Sequence, residues 1–265
     1  MPATAVLLVL ISTVLHAGWN TRLHRSVDPE TTAALSYLLV GIVLLPAVWF
    51  DPPSEVLGWV VASAAAQGGY MALLGTAYRT GSLSVAYPIS RGTAPLLVGL
   101  GGWLLLDETP TAATATGLVV LVGGLLVLAG LGTQLQERRA VVLAAVTGLC
   151  TVAYSLIDAR SVDLTGLLGY LSMIMILSSG SVLLSRRPGW ARMRFVLGSS
   201  AVIGAGQGGA YALVLLAFQQ AQAGQVAGLR QISVVLGVLL AREALGPRAL
   251  WGSLLVAAGA ALVIW

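Results

Sequence analysis

The chain contains ten apolar runs, and each is close to the 20 residues that an α-helix needs to cross a lipid bilayer. Short polar segments such as DPPSE and RTGS separate the runs, and none is long enough to form a soluble domain. Inside a bilayer only a helix or a closed barrel satisfies its own backbone, and runs of this length suit helices. The sequence therefore predicts an all-α membrane protein with ten transmembrane helices, at residues 3–21, 31–50, 56–78, 84–106, 111–131, 140–158, 164–184, 195–218, 222–241 and 247–265.

The composition agrees with a multi-pass protein of the plasma membrane whose surroundings are the lipid bilayer. Only 9% of residues are charged, against about 25% in soluble domains, and 57% are hydrophobic. All 14 basic residues are arginines, and they form no clustered, solvated face, so a nucleic-acid partner is not expected. The pattern contains no metal-ligand spacing, and we expect neither a metal nor a cofactor.

An internal repeat limits the fold further. The tetrapeptide Arg25–Asp28 recurs as Arg160–Asp163, an offset of 135 residues, and Trp19 is matched by Tyr154 at the same offset. Each copy holds five spans, and because five is odd, the copies must cross the membrane in opposite orientations. Such inverted repeats place a central cavity at their interface in secondary transporters. The alternative is a duplicated helical bundle with no transport role. We divide the chain into a first five-helix repeat, 1–133, and a second, 138–265.

Several motifs, taken in order, resemble one family. They are the opening His16–Asn20 (HAGWN), the phrase Leu83–Gly92 (LSVAYPISRG), the LLLDE run that ends at Glu108, and the sister pattern that starts at Leu229. The ordered set resembles the EamA-type members of the drug/metabolite transporter superfamily over the whole chain. The resemblance implies a ten-helix bundle around a central cavity that moves a small metabolite, often outward. It does not name the substrate, because one fold serves many.

The orientation of the bundle is left open by two opposing indications. The loops after the odd-numbered spans hold nearly all the arginines, whereas the opposite loops hold only Arg160. The positive-inside rule then places both termini outside the cell. The family resemblance implies that both termini are cytoplasmic.

The fourth predicted span, 84–106, carries Arg91 between Pro88 and Pro95. Each proline removes a backbone donor, so the pattern predicts a broken helix beside a cavity that holds the buried arginine. The alternative is a kinked helix whose arginine extends to the lipid headgroups. The ninth span carries a comparable arginine, Arg230. Two guanidinium groups favour an anionic or zwitterionic ligand, since Asp158 is the only acid near a span interior.

Other polar side chains inside the apolar spans are candidates for the cavity wall, because a metabolite site needs convergent polar groups in an apolar surrounding. Several share one helical face, which hydrogen bonds between helices would explain equally well. The predicted substrate-binding residues are His16, Trp19, Asn20, Gln67, Tyr70, Tyr87, Ser90, Arg91, Tyr154, Gln207, Tyr211, Arg230 and Gln231.

Enzymatic chemistry has no recognisable set of residues in this chain, so we expect no enzyme. The segment Gly204–Gly209 fits the G-x-G-x-x-G pattern, but it lies in an apolar span, where close helix packing is the better explanation. Glu108 and Glu243 end their spans and are expected to be structural. Proton coupling would need His16 or Asp158, and neither lies deep in its predicted span.

These observations predict a secondary transporter that exports a small polar metabolite, such as an amino acid or another carboxylate, by alternating access. One alternative is a flippase for a phosphate-bearing lipid, which would also use buried arginines. An intramembrane transferase and a purely structural subunit are further alternatives. A homodimer is one oligomeric state that the sequence leaves open.

Overall fold

The computed structural model describes residues 1–79, 83–129, 138–240 and 246–265, with side chains for 1–73, 94–128, 142–143, 145–236 and 246–265. This part of the chain is helical and contains no β-strand. A short 3₁₀-helix, Ser54–Val56, precedes the third long helix. The α-helices are α1 (Ala3–His24), α2 (Pro29–Phe50), α3 (Leu57–Arg79), α4 (Leu83–Leu105), α5 (Ala112–Ala129), α6 (Arg138–Ser161), α7 (Leu167–Arg186), α8 (Trp190–Phe218), α9 (Ala223–Leu229), α10 (Ile232–Leu240) and α11 (Pro247–Val263).

The all-α prediction is confirmed. Five helices of the described part, the first three together with α7 and α8, are long and apolar enough to cross a membrane. Three shorter apolar helical stretches lie in α4, α5 and α11. Large apolar side chains face outward, and Trp49, Phe50 and Trp190 are exposed at helix ends. Aromatic residues are enriched in membrane proteins at the two membrane–water interfaces, where the rings lie among the lipid headgroups. The chain is therefore a multi-pass membrane protein.

The predicted spans correspond to helical stretches. One of them is interrupted, but it is the ninth span and not the fourth, where the break was predicted. Helix α4 runs unbroken from Leu83 to Leu105, so the predicted break at Pro88 and Pro95 is wrong. Proline costs a transmembrane helix one backbone bond, which its neighbours and small local adjustments can absorb. The ninth span was predicted to be continuous, and it is divided into α9 and α10 at Arg230 and Gln231.

Short-range hydrogen bonds replace the helical ones at this break. The N–H groups of Gln231, Ser233 and Val234 each donate to a carbonyl three residues earlier, at 2.9–3.1 Å, which is the 3₁₀ pattern. Polar side chains satisfy further carbonyls: the Gln231 amide donates to Ala227 O at 3.0 Å, and the Ser233 hydroxyl donates to Arg230 O at 2.8 Å. The chain thus bends within the bundle without leaving these carbonyls unpaired.

Glycines bring helices from the first and second parts of the chain into close contact. A Cβ at Gly124 would lie 2.9 Å from Gly252 O, and a Cβ at Gly117 would lie 2.8 Å from Gly259 O. The residue numbers in α5 rise as those in α11 fall, so the two helices are antiparallel. Helices α2 and α7 pair in the same sense, since a Cβ at Gly41 meets Ser172 O and the end of α2 meets the start of α7. Small residues allow this backbone approach in membranes.

Glycines of the G-x-G-x-x-G segment also serve packing. A Cβ at Gly204 would lie 2.8 Å from Ser36 O, and one at Gly208 would lie 2.6 Å from the Val40 side chain. These glycines therefore let α8 approach α2 closely, as the sequence analysis expected.

Two ion pairs join the halves at one end of the bundle. Arg186, the last residue of α7, lies 3.0 Å from Glu30 in the first turn of α2. Arg192, at the start of α8, lies 3.2 Å from Asp28, which also caps α2 by accepting from the Thr31 N–H at 3.2 Å. We call this pair of contacts the ionic clamp. It holds the loop before α2 against the loop between α7 and α8.

At the other end, Glu108 fastens the loop after α4 to the start of α9. Its carboxylate accepts a hydrogen bond from the Ala223 N–H at 2.7 Å. Partial burial raises the pKa of this carboxyl group above its ordinary value, and backbone hydrogen bonds from Ala223 and Gly224 offset part of the rise. The structural role expected for Glu108 fits this contact, whereas Glu243 lies outside the described residues.

Candidate functional site

A cleft lies where helices of the two halves meet. It has about 410 Å³ of empty volume, part of it open to solvent. Helices α1, α2 and α3 form one side, and α6, α8 and the turn after α9 form the other. The described residues that line it are His16, Trp19, Tyr37, Tyr70, Tyr154, Gln207, Ala210, Tyr211 and Arg230. A concave site with an aromatic wall and a few polar groups is the usual form of a small-molecule site.

Edge-to-face contacts order the aromatic wall. The ring centroids of Tyr70 and Tyr154 are 6.1 Å apart, and those of Tyr154 and Tyr211 are 6.0 Å apart. His16 packs against Trp19 in the same manner at 4.7 Å. Each such contact contributes about 0.5–1.5 kcal/mol beyond the area that it buries. The rings therefore hold one another in place and form a preorganised wall.

Three hydrogen-bond donors in this wall are free for a ligand. Arg230 follows the end of α9, and no described carboxylate lies within ion-pairing distance of it. The indole N–H of Trp19 is buried and has no hydrogen-bond partner among the described residues. Gln207 accepts from the Ser36 hydroxyl at 2.8 Å through Oε1, which leaves its amide nitrogen available. Because the described wall contains no carboxylate, a ligand with acceptor atoms or a negative charge would complete it.

A second polar cluster lies behind the cleft around Asp158. Its side chain is fully buried, whereas the sequence placed it near the end of its span. Helix α6 continues to Ser161 and packs mainly against α3 and α4, with smaller contacts to α8 and α9, which explains the difference. Tyr170 donates to Oδ1 at 2.6 Å, Gln67 donates to Oδ2 at 3.3 Å, and Tyr211 also donates to Oδ2. The cluster touches the cleft through Tyr211, whose ring lines it.

The structure brings together seven of the predicted site residues: His16, Trp19, Tyr70, Tyr154, Gln207, Tyr211 and Arg230. Three others lie outside the wall. Asn20 is half-buried on α1, Gln67 belongs to the Asp158 cluster, and Gln231 donates to the helix backbone. The side chains of Tyr87, Ser90 and Arg91 lie outside the described residues, so their place relative to the cleft stays a prediction.

Sequence reasoning missed Tyr37, Ala210 and Tyr170. Tyr37 lines the cleft from α2, and Tyr170 bonds to Asp158 from α7. Each tyrosine is an isolated polar residue in an apolar span. In the sequence, such a residue cannot be distinguished from a tyrosine at the membrane interface. Tyr37 lies about a third of the way into α2, and this depth would have been a usable signal, because interfacial rings lie near the helix ends.

The described residues contain no group of three or more His, Cys, Asp or Glu side chains that could hold a metal ion. Asp158 has only hydroxyl and amide partners in this part of the chain, which suits hydrogen bonding better than metal ligation.

Fold and cleft together define a class of protein: a multi-pass helical membrane protein with a polar cleft between the first and second parts of its chain. The model of the EamA-like transporter family matches residues 3–130. Over these residues, a little under half of the chain, the sequence is similar to EamA-like transporters.

The fold recurs in solved structures. A crystal structure described only as that of a protein aligns with 99% of this chain and 96% of the other, with a TM-score of 0.80 and 18% identity. At this identity the likeness shows the fold alone. No curated protein matches the chain.

Proposed function

We propose that the cleft binds a small polar metabolite with a carboxylate, such as an amino acid, and carries it across the membrane by alternating access. The observation that carries this proposal is the set of free donors in the cleft wall, above all Arg230 at the break between α9 and α10. A guanidinium matches a carboxylate with two parallel hydrogen bonds. Broken helices of this kind place binding groups near the midplane in secondary transporters.

Alternating access needs two parts that can move against each other, and we propose that these are inverted repeats, 1–133 and 138–265. The antiparallel contact between α5 and α11 supports this, because the sequence offset of 135 makes these helices equivalent. The α2–α7 contact supports it in the same way. The family match, which ends at residue 130, is close to the proposed boundary.

Export across the plasma membrane is the direction and location that we propose, on the resemblance of the whole chain to EamA-type proteins. Vesicles of known orientation would test the direction, since an exporter accumulates the substrate against its gradient in inside-out vesicles, whereas a uniporter only equalises the two concentrations.

The experiment that tests the binding proposal is a ligand-stabilisation screen on purified protein. A ligand that binds only the folded state raises its stability by about 2.7 kcal/mol at a concentration one hundred times Kd. We expect small carboxylates and amino acids to raise the melting temperature, and their uncharged amides to have much less effect.

Substitutions then assign the effect to the cleft. Arg230→Lys keeps the charge but loses the bidentate geometry, and we expect about ten- to a hundredfold weaker binding, from about 1.5–3 kcal/mol for a hydrogen bond to a charged group. Arg160→Lys, at an exposed site on α6, is the matched control and should bind as wild type does. Equal affinities of the wild type and the Arg230→Lys variant would contradict the proposed site.

A further inference from the structure

A carboxylate in the interior of a membrane protein is expensive unless a cation or several donors accompany it. Asp158 is fully buried, and among the described residues no cation lies within ion-pairing distance of it. Its companions are neutral donors from three helices: Gln67 on α3, Tyr170 on α7 and Tyr211 on α8. Ionisable residues in such positions commonly belong to proton pathways.

From this geometry we infer that Asp158 is a proton-binding site whose occupancy is coupled to the cleft through Tyr211. The inference rests on the proposed transport function and adds its coupling ion. It concerns a site separate from the cleft wall, since Asp158 does not line the cleft.

The coupling follows from hydrogen-bond capacity. Ionised Asp158 only accepts, and both oxygens are engaged by the hydroxyls of Tyr170 and Tyr211. When a proton from water binds Oδ2, that oxygen becomes a donor and a weaker acceptor, so the hydrogen bond from the Tyr211 hydroxyl, which keeps its own proton, is weakened. Its ring belongs to the cleft wall and packs on Tyr154. A change in the Tyr211 hydroxyl therefore changes the site where the substrate binds, and by linkage the substrate changes proton affinity equally.

The titratable and charged groups on the described helices around Asp158 are compatible with proton binding by its carboxylate. The described part of α4, residues 94–105, contains no titratable side chain. Arg160 on α6 is exposed, and no contact with the carboxylate is found for it. The polar groups that face the carboxylate directly are Ser63, Gln67, Tyr170 and Tyr211. At longer range lie Tyr37 and, on the far side of Tyr211, the cleft residues Arg230 and His16.

Proton uptake by the purified full chain tests the site without any knowledge of the substrate. The protein is brought from pH 8 to pH 5 in weakly buffered potassium chloride, and a pH indicator reports the protons bound. We expect the wild type to take up about one proton per chain more than Asp158→Asn, because a single carboxyl group is removed. Asp163→Asn is the matched control, since it makes the same substitution at an exposed carboxylate outside the cluster.

Tyr170→Phe keeps the carboxylate and covers the case in which Asp158→Asn does not fold. Loss of a donor to the ionised form makes protonation easier, so the midpoint of uptake should move to higher pH. Equal uptake by wild type and a folded Asp158→Asn, or an unmoved midpoint in Tyr170→Phe, overturns the inference. Suppression of uptake when sodium replaces potassium also overturns it, because the site would then hold a metal cation.

Coupling to the cleft has its own readout. A cysteine is introduced at Ala210 in the cleft wall after Cys150→Ala, and its labelling by a water-soluble maleimide is followed against pH. Thiol ionisation affects this protein and its Asp158→Asn derivative alike, so the ratio of their rates isolates the effect of Asp158. We expect the ratio to change across the pH range of proton uptake. A constant ratio refutes the coupling, whereas failure of the ligand screen with normal uptake would refute only the proposed substrate.

Discussion

Two neighbouring glycines of α5 provide a matched test of how the halves pack. A Cβ at Gly124 would lie 2.7 Å from Val256 N and 2.9 Å from Gly252 O, both backbone atoms of α11 that cannot rotate away. A Cβ at Gly123 would meet no described atom within 4 Å. Gly124→Ala must therefore push α5 and α11 apart, whereas Gly123→Ala adds a methyl group where there is room.

The expected magnitude follows from this difference. Both substitutions gain the same helix propensity, about 1 kcal/mol relative to glycine, and this gain cancels when the two variants are compared. Overpacking at Gly124 costs about 1–3 kcal/mol, so Gly124→Ala should be less stable than Gly123→Ala by that amount. Thermal or denaturant unfolding of purified protein in the same detergent measures it. Equal stability of the two variants would refute the close α5–α11 contact, and with it a main support for inverted repeats.

Three further predictions concern charged groups. A double-mutant cycle with Glu30→Gln and Arg186→Gln should give an interaction energy of about 0.2–1 kcal/mol that disappears in high salt, because the pair is partly exposed. Burial raises the pKa of Glu108, so the folded state binds a proton more tightly than the unfolded state, and stability should fall as pH rises from the ordinary value of 4.5 through the raised pKa. Unfolding free energies should lose this slope in Glu108→Gln, and a retained slope would assign it elsewhere. Arg91→Lys should bind substrate more weakly than wild type if Arg91 holds the anionic group, and near-normal transport at matched membrane levels would exclude that role.

Much of the fold could be predicted from the sequence because bilayer thickness sets the length of each apolar run. The break after α9 could not, because neither proline nor a polar run marks Arg230 and Gln231. It depends on side chains that return hydrogen bonds to their own helix, as Gln231 does to Ala227 O. Pro88 and Pro95 gave the opposite error, since membrane helices absorb prolines that would end a helix in water.

The candidate site was predictable where polar residues interrupt an apolar face, as at Gln207 and Arg230. It was not predictable where the decisive quantity is depth. Asp158 lies at the end of its apolar run, yet the packing of α6 against its neighbouring helices buries it completely. The burial of such a side chain depends on how the helices pack together, and the sequence of a single helix does not determine it.

Under the proposed alternating access, the ionic clamp has a consequence for the energetics of the transport cycle. If the two halves were identical, the states open to either side of the membrane would be equal in free energy. Within the described residues, ion pairs join the halves at only one end, and the loops at the opposite end carry acids such as Asp51 and Asp163 with Arg160 as their one base. In the proposed cycle, the state in which this end is closed would thus be favoured over its counterpart. The favoured state cannot alter the final gradient of a solute, but it makes the rates of the two half-cycles, and their response to salt, unequal.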